Sequence, residues 1–165
     1  ALHHGEQKTP NDLPYLTHLC AVSMEVMHAC VKSSMNENES NIAISCALLH
    51  DVLEDTSCSE DELYENFSET IVMGIESLTK DTSLKTKKDQ MQDSLNKLLA
   101  QPYCVQMVKL ADRITNLQKP PKHWDKDKIA SYLKESKLIF SCLKNANIYL
   151  AKRLEEKIEN YKQYL

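Results

Sequence analysis

Only two glycines, Gly5 and Gly74, occur in 165 residues, too few for the tight turns that a strand-rich fold consumes. Runs of alternating β-branched residues are nearly absent as well, so the pattern excludes a sheet-based architecture and indicates an all-α chain. No apolar run approaches the ~20 residues of a membrane span, and no secretory leader pattern stands at the start. A cytoplasmic location without a membrane partner is therefore expected. Six cysteines are scattered singly, at Cys20, Cys30, Cys46, Cys58, Cys104 and Cys142. Scattered so in a chain of this length, they are not expected to form a disulfide framework, and with no C-x-x-C a thiolate zinc site has no spacing to support it; they read as small reduced core residues. Excess positive charge is missing too. A net charge of −4 and a pI near 5.9 make no case for a nucleic-acid partner. A polyanionic substrate would need a metal or a local basic cluster.

What is present suits one domain over residues 1–165, with 42% hydrophobic and 27% charged residues. Ala1 to about Gln7 resembles the end of a helix, and Thr9-Pro10-Asn11-Asp12-Leu13-Pro14 is a proline-bounded loop. A long helix follows from Tyr15 with Leu19, Val22, Val26 and Ala29 on one stripe, fading at Ser33-Ser34. The segment from Glu39 to Leu53 reads as the central helix. Ser59-Glu60-Asp61-Glu62 has capping-box form and opens a short helix, and another runs from Glu69 to Leu78. Thr79 to Lys88 is a polar, lysine-rich connector, followed by helices from Lys87 to Ala100 and from near Tyr103 to before Lys119-Pro120. The tail, residues 125–164, reads as two helices divided near Asn145. Leu150, Leu154, Ile158 and Tyr161 form its apolar stripe, with Glu155, Glu156, Lys157 and Glu159 on a solvated face.

Chemistry concentrates in Ala47-Leu48-Leu49-His50-Asp51-Val52-Leu53-Glu54-Asp55-Thr56. On a continuous helix Glu54 would sit above His50 and Asp51, and Asp55 above Asp51, so four ionisable groups would share one patch at the end of an apolar run. A solvated last turn is the plain alternative, but the macrodipole disfavours acids at a helix C-terminus. A divalent cation would neutralise the patch. Further ligands must come from elsewhere in the chain. His18, early in the helix after Pro14, and Asp112, ending the apolar run Val108 to Ala111, are the two candidates. Each has an alternative: His18 as a hydrogen-bonded core histidine, Asp112 as a partner of Arg113 or Lys109. With His50 and Asp51 they make a two-histidine, two-carboxylate set that suits Mn²⁺ or Fe²⁺, admits Zn²⁺, and supports Lewis-acid hydrolysis. Glu54 and Asp55, a turn away, are placed to act on the attacking water.

These residues carry a resemblance. His18, His50-Asp51 and Asp112 match the H…HD…D signature of HD-domain metal-dependent phosphohydrolases. Ala1-x-x-His4-x-x-Gln7, Pro14-Tyr15-x-x-His18, His50-Asp51-x-x-Glu54-Asp55-Thr56, Thr79-Lys80 and Lys109-Leu110-Ala111-Asp112-Arg113-x-x-Asn116 are similar to the hydrolase domain of RelA/SpoT-type proteins and of stand-alone small alarmone hydrolases. The motifs lie within residues 1–118, and Pro120-Pro121-x-x-Trp124 is similar to the stand-alone relatives. The resemblance implies an HD-domain helical bundle with a metal site between helices and a Mn²⁺-dependent hydrolysis of the 3′-diphosphate of (p)ppGpp, releasing pyrophosphate. It places His18, His50, Asp51 and Asp112 on the metal and Glu54 and Asp55 at the attacking water. Asn116, Lys80, Lys8 and Tyr15 are its candidates for contacting the nucleotide. From sequence, Asn116 reads equally as the residue ending its helix. His4 is expected to support the site from outside the ligand set, whereas His3 and His28 read as surface or core residues and His123 as part of a tail loop.

The departures from that family fall on the nucleotide pocket. Thr9, followed by Pro10, stands where relatives carry an arginine that stacks on guanine. Asp12-Leu13 replaces a glycine, Leu19 a proline, Thr115 a histidine and Gln118 an arginine. Losing a stacked guanidinium costs roughly 1 to 2 kcal/mol. Two other functions therefore stay open: an HD phosphohydrolase acting on another nucleotide or phosphorylated metabolite, and a metal-binding regulatory module without turnover. A small-molecule nucleotide is the expected partner, and a homo-oligomer is allowed.

Overall fold

The computed structural model describes residues 3–165, and among them the chain forms nine α-helices and no strand beyond an isolated bridge between Lys8 and Pro14. In order these are α1 (Leu16–Lys32), α2 (Glu37–Leu49), α3 (Val52–Asp55), α4 (Glu60–Asn66), α5 (Glu69–Leu78), α6 (Lys87–Leu99), α7 (Tyr103–Asn116), α8 (Lys126–Leu143) and α9 (Ile148–Tyr161). A 3-10 turn, Lys162–Tyr164, follows. No helix among the described residues is long and apolar enough to cross a membrane.

Cap residues mark several of these starts. Asn36 accepts from the Glu39 amide at 2.9 Å, Ser59 from Glu62 at 3.2 Å, Asp125 from Lys128 at 2.7 Å and Asn147 from Leu150 at 3.0 Å. Each satisfies an amide that the helix itself leaves unpaired, worth about 1 kcal/mol.

The central helix is α7, not the Glu39 to Leu53 segment. Every residue from Cys104 to Ile114 is buried, because α1, α2, α6, α8 and α9 all pack around it. The stripe of α9 expected from its periodicity, Leu150, Leu154, Ile158 and Tyr161, closes the same core. A smaller cluster of Val52, Cys58, Leu63, Val72 and Ile75 lies under α3 to α5. Gly74 has a steric reason to lack a side chain: a Cβ there would meet Cys46 Sγ at 2.8 Å and Val105 at 3.2 Å. α5 thereby approaches α2 and α7 closely.

Two further expectations are corrected. The expected helix end over Ala1 to Gln7 begins at residues 1 and 2, outside the described residues, and His3 to Glu6 form turns in which Gly5 adopts a φ of +47°. The Glu39 to Leu53 helix is broken. α2 ends at Leu49, Asp51 takes φ −106° and ψ 2°, and α3 restarts at Val52. The His50 ring approaches the Ala47 carbonyl at 2.8 Å, satisfying an acceptor left free where the helix stops. Glu54 and Asp55 consequently belong to a new short helix, and the macrodipole argument that placed them at the end of a long one does not apply.

Candidate metal centre

Three helix ends deliver the buried polar cluster. The first turn of α1 carries His18, the α2–α3 break carries His50 and Asp51, and the last half of α7 carries Asp112. His18 Nε2 lies 3.6 Å from Asp51 Oδ2 and 3.5 Å from Asp112 Oδ1. His50 Nε2 lies 2.9 Å from Asp51 Oδ2 and 3.8 Å from Asp112 Oδ1. Two ligands that each sit about 2.0 to 2.2 Å from one ion stand roughly 3 to 3.6 Å apart, so the set is spaced for a single cation. His18, His50 and Asp112 offer ligand atoms within 4.8 Å of one another.

Burial makes the cluster costly without a cation. His50 is 1% exposed and its Nε2, despite the short approach to Asp51, lacks a hydrogen bond of acceptable angle. Its Nδ1 is engaged by the Ala47 carbonyl, which directs Nε2 at the two carboxylates. Burial alone would push the His18 imidazole down, but hydrogen bonds to Asp112 and Asp51 outweigh it and raise the group to about 9. His50 is likewise raised against its burial by Asp51 and Asp112. Burial opposes ionisation of both aspartates, yet His18 and His50 hold Asp51 well below the usual carboxylate range, and Lys109 and His18 do the same for Asp112. A divalent cation would supply the positive charge that these carboxylates otherwise draw from the two imidazoles. A thiolate-free set of two imidazoles and two carboxylates, with one orphaned ring nitrogen, fits such a cation.

Around these four, each neighbour has a visible task. Tyr15 donates its hydroxyl to Asp51 Oδ2 at 2.6 Å, and its phenol is raised far above the ordinary range by burial, Asp51 and Asp55. His4 stacks on Tyr15 with ring centroids 4.9 Å apart and contacts Gln7 Oε1 through Nδ1 at 2.8 Å. Gln7 in turn donates to Asp55 at 3.2 Å. Asn116 donates to Asp112 Oδ1 at 2.5 Å and Lys109 lies 3.1 Å from Asp112 Oδ2, so both carboxylate oxygens are held.

Glu54 and Asp55 do not stack over His50 and Asp51 as a continuous helix would have them. Glu54 turns to Lys80, which meets it with Nζ at 2.9 Å and its main-chain N–H at 3.3 Å, while Asp55 turns to Gln7. Lys80 stays charged above its ordinary value: burial lowers it, and Glu54, Asp112 and Asp51 more than compensate. Lys8, a candidate for the nucleotide, instead pairs with Asp12 at 2.7 Å on the surface. Gln7 was visible only as part of a motif, with no hint of its partner. Lys109 was legible through its spacing, three residues before Asp112 on one helix face.

A family model described as HD domain matches residues 1–147. Among curated relatives, "GTP pyrophosphokinase rsh" of Brucella ovis is 38% identical over 120 residues, covering 70% of this chain and 15% of that protein. The chain thus spans about 15% of the length of that relative. "Guanosine-3′,5′-bis(diphosphate) 3′-pyrophosphohydrolase MESH1" of Danio rerio is 27% identical over 157 residues, 90% of this chain and 81% of that one. A solved structure described as a metazoan ortholog of SpoT that hydrolyzes ppGpp superposes with a TM-score of 0.81 at 25% identity, covering 97% of this chain and 89% of the other.

Proposed function

Because this chain belongs to the HD domain family, we propose that it is a metal-dependent phosphohydrolase that removes pyrophosphate from the 3′ position of (p)ppGpp. The observation that carries this reading is the buried His18, His50, Asp51 and Asp112 cluster, whose donor spacing and orphaned His50 Nε2 suit one cation. The similarity to a ppGpp-hydrolysing structure over 97% of the chain supports the substrate class. Residues 1–165 act as one domain in this reading, since α8 and α9 pack on α7, which carries Asp112. Reduced cysteines and a nucleotide substrate fit a cytoplasmic protein.

Mn²⁺ is the proposed ion, on the thiolate-free mix of two imidazoles and two carboxylates. When bound, a divalent cation supplies the Lewis acidity that activates water and offsets charge on the phosphate. The remaining work belongs to side chains. Tyr15 fixes the orientation of Asp51, and Asn116 and Lys109 fix Asp112, so that the ligand oxygens need not reorganise. Glu54 accepts a proton from the attacking water at its carboxylate, which Lys80 holds in place. Asp55, positioned by Gln7, is the second carboxylate available to orient that water. The half-buried Lys80 ammonium, beside Glu54, is also a cation available to a substrate phosphate.

One observation favours a second substrate. Thr9 and Pro10 carry no guanidinium, and Lys8 is occupied by Asp12. No positive side chain in that segment is thus committed to stacking on guanine, which suits an HD phosphohydrolase of different nucleotide preference. The deciding experiment incubates Mn²⁺-loaded protein with ppGpp and, in parallel, with other nucleotides, resolving pyrophosphate from orthophosphate. Pyrophosphate from ppGpp alone is expected. Turnover of another nucleotide only would keep the chemistry and replace the substrate. No turnover with metal bound would make the chain a regulatory module.

A further inference from the structure

A second group of metal-ligating side chains lies outside the centre. His3, from the amino-terminal turn, Cys58, from the loop after α3, and Glu62, on α4, bring an imidazole nitrogen, a thiol sulfur and a carboxylate oxygen within 4.8 Å of one another. His3 Nε2 is 3.0 Å from Glu62 Oε1. Cys58 is buried, and its sulfur lies 3.7 Å from the Ser59 carbonyl and also faces the Glu62 carboxylate. The two outer ligands are 32% and 45% exposed, so the mouth faces solvent, where water can complete a tetrahedron. None of the three takes part in the His18–Asp112 cluster or in the roles proposed around it. Cys58 and Glu62 are four residues apart where the chain enters α4, and His3 joins them from a segment distant in the sequence.

We propose that His3, Cys58 and Glu62 form a second cation site, selective for a thiophilic ion of the zinc class, which clamps the amino-terminal turn onto α4. Three protein ligands of this type with one open position match the donor chemistry of zinc, and the sulfur sets the site apart from the all nitrogen and oxygen centre that suits Mn²⁺. The clamp has a structural consequence. His3 adjoins His4, which stacks on Tyr15, and the same segment supplies Gln7 to Asp55. An ion that pins residue 3 to α4 therefore steadies the side chains that lean on the metal centre. This inference does not depend on which nucleotide is hydrolysed.

The test titrates the reduced, metal-stripped full chain with Co²⁺ and follows electronic absorption. Two equivalents are expected to bind, one of them raising a near-ultraviolet thiolate-to-cobalt charge-transfer band. Cys58→Ser should abolish the band and leave one equivalent, and Asp112→Asn should lose the other equivalent and keep the band. Cys58 packs in the small core, so His3→Ala and Glu62→Gln serve as variants that leave that core intact. Each should weaken the thiolate-linked Co²⁺ by more than the 10- to 100-fold typical of removing an outer-shell partner. A titration without the band, a band that survives Cys58→Ser, or a band indifferent to both His3→Ala and Glu62→Gln would overturn the site.

Discussion

Asp112 and Arg113 are neighbours on α7, are 6% and 4% exposed, and meet opposite fates. Arg113 has its charge met locally: it pairs with Glu135, lies 3.5 Å from the Ser136 hydroxyl and covers the Tyr132 ring with its carbon 4.3 Å from the centroid, although its Nε has no hydrogen-bond partner. One positive charge meets one negative charge and an electron-rich face. Asp112 opens onto a surplus, two carboxylates and two imidazoles whose ring nitrogens face the same point. Buried charge by itself therefore says little about function. What distinguishes the two sides is whether the charges can be satisfied by each other or converge on a position that only a further cation can fill.

The comparison predicts different failures. Asp112→Asn should reduce divalent-metal-dependent turnover to background while the fold persists, measured by product release beside circular dichroism. A variant that kept full activity would remove Asp112 from the ligand set. Glu54→Gln should lower kcat by roughly 10² to 10⁴ while metal content stays at the wild-type level, which metal analysis of the purified variant checks. On the other side, Arg113→Leu should cost about 3 kcal/mol of stability in chemical denaturation, the low end for a broken buried pair because Glu135 is 31% exposed and can reach water. Activity per folded molecule should change far less than in Asp112→Asn. Tyr15→Phe removes only the 2.6 Å hydrogen bond that orients Asp51 and should weaken metal binding by about 10- to 100-fold.

The same contacts set a dependence on pH. His18 rises from its ordinary 6.5 to about 9 on folding, so in the metal-stripped protein its contribution to stability is complete below about pH 6.5 and is lost as pH climbs through 9. Asp51 and Asp112 shift the other way, and their contributions vanish only on acidification below the usual carboxylate range. Thermal melts of the metal-stripped chain should fall between pH 6.5 and 9. With a divalent cation the imidazole must be neutral, so metal affinity should rise over the same interval and proton uptake should accompany metal removal. A melting temperature flat across that range would contradict the assigned His18–carboxylate contacts.

Much of this was legible in one dimension. The scarcity of glycine, the 3.6-residue stripes and the capping box at Ser59 announce a helical chain, while the caps at Asn36, Asp125 and Asn147 emerge only in the structure. His50-Asp51 announces itself because acids and a histidine follow an apolar run. The break at His50 was not legible, since neither proline nor glycine stands there; it arises where the His50 ring takes over the Ala47 carbonyl and Asp51 turns into the cluster instead of capping α3. That break redirects Glu54 to Lys80 and Asp55 to Gln7, so the single patch of one imidazole and three carboxylates inferred from helical spacing leaves two separately held carboxylates beside the centre.

Local chemistry, then, was written in the chain: which segments wind into helices, which faces they bury, and which residue types could hold a cation. Only the tertiary structure decided which of them meet. His18 and Asp112 are 94 residues apart in sequence by their numbering, and their atoms approach to 3.5 Å because α1 and α7 pack on each other. His3 likewise reaches Cys58 and Glu62 across more than fifty residues of sequence. Helix propensity acts over a few neighbouring residues, whereas a metal site requires donors from several directions at once, and only packing around a shared core brings distant segments into that arrangement.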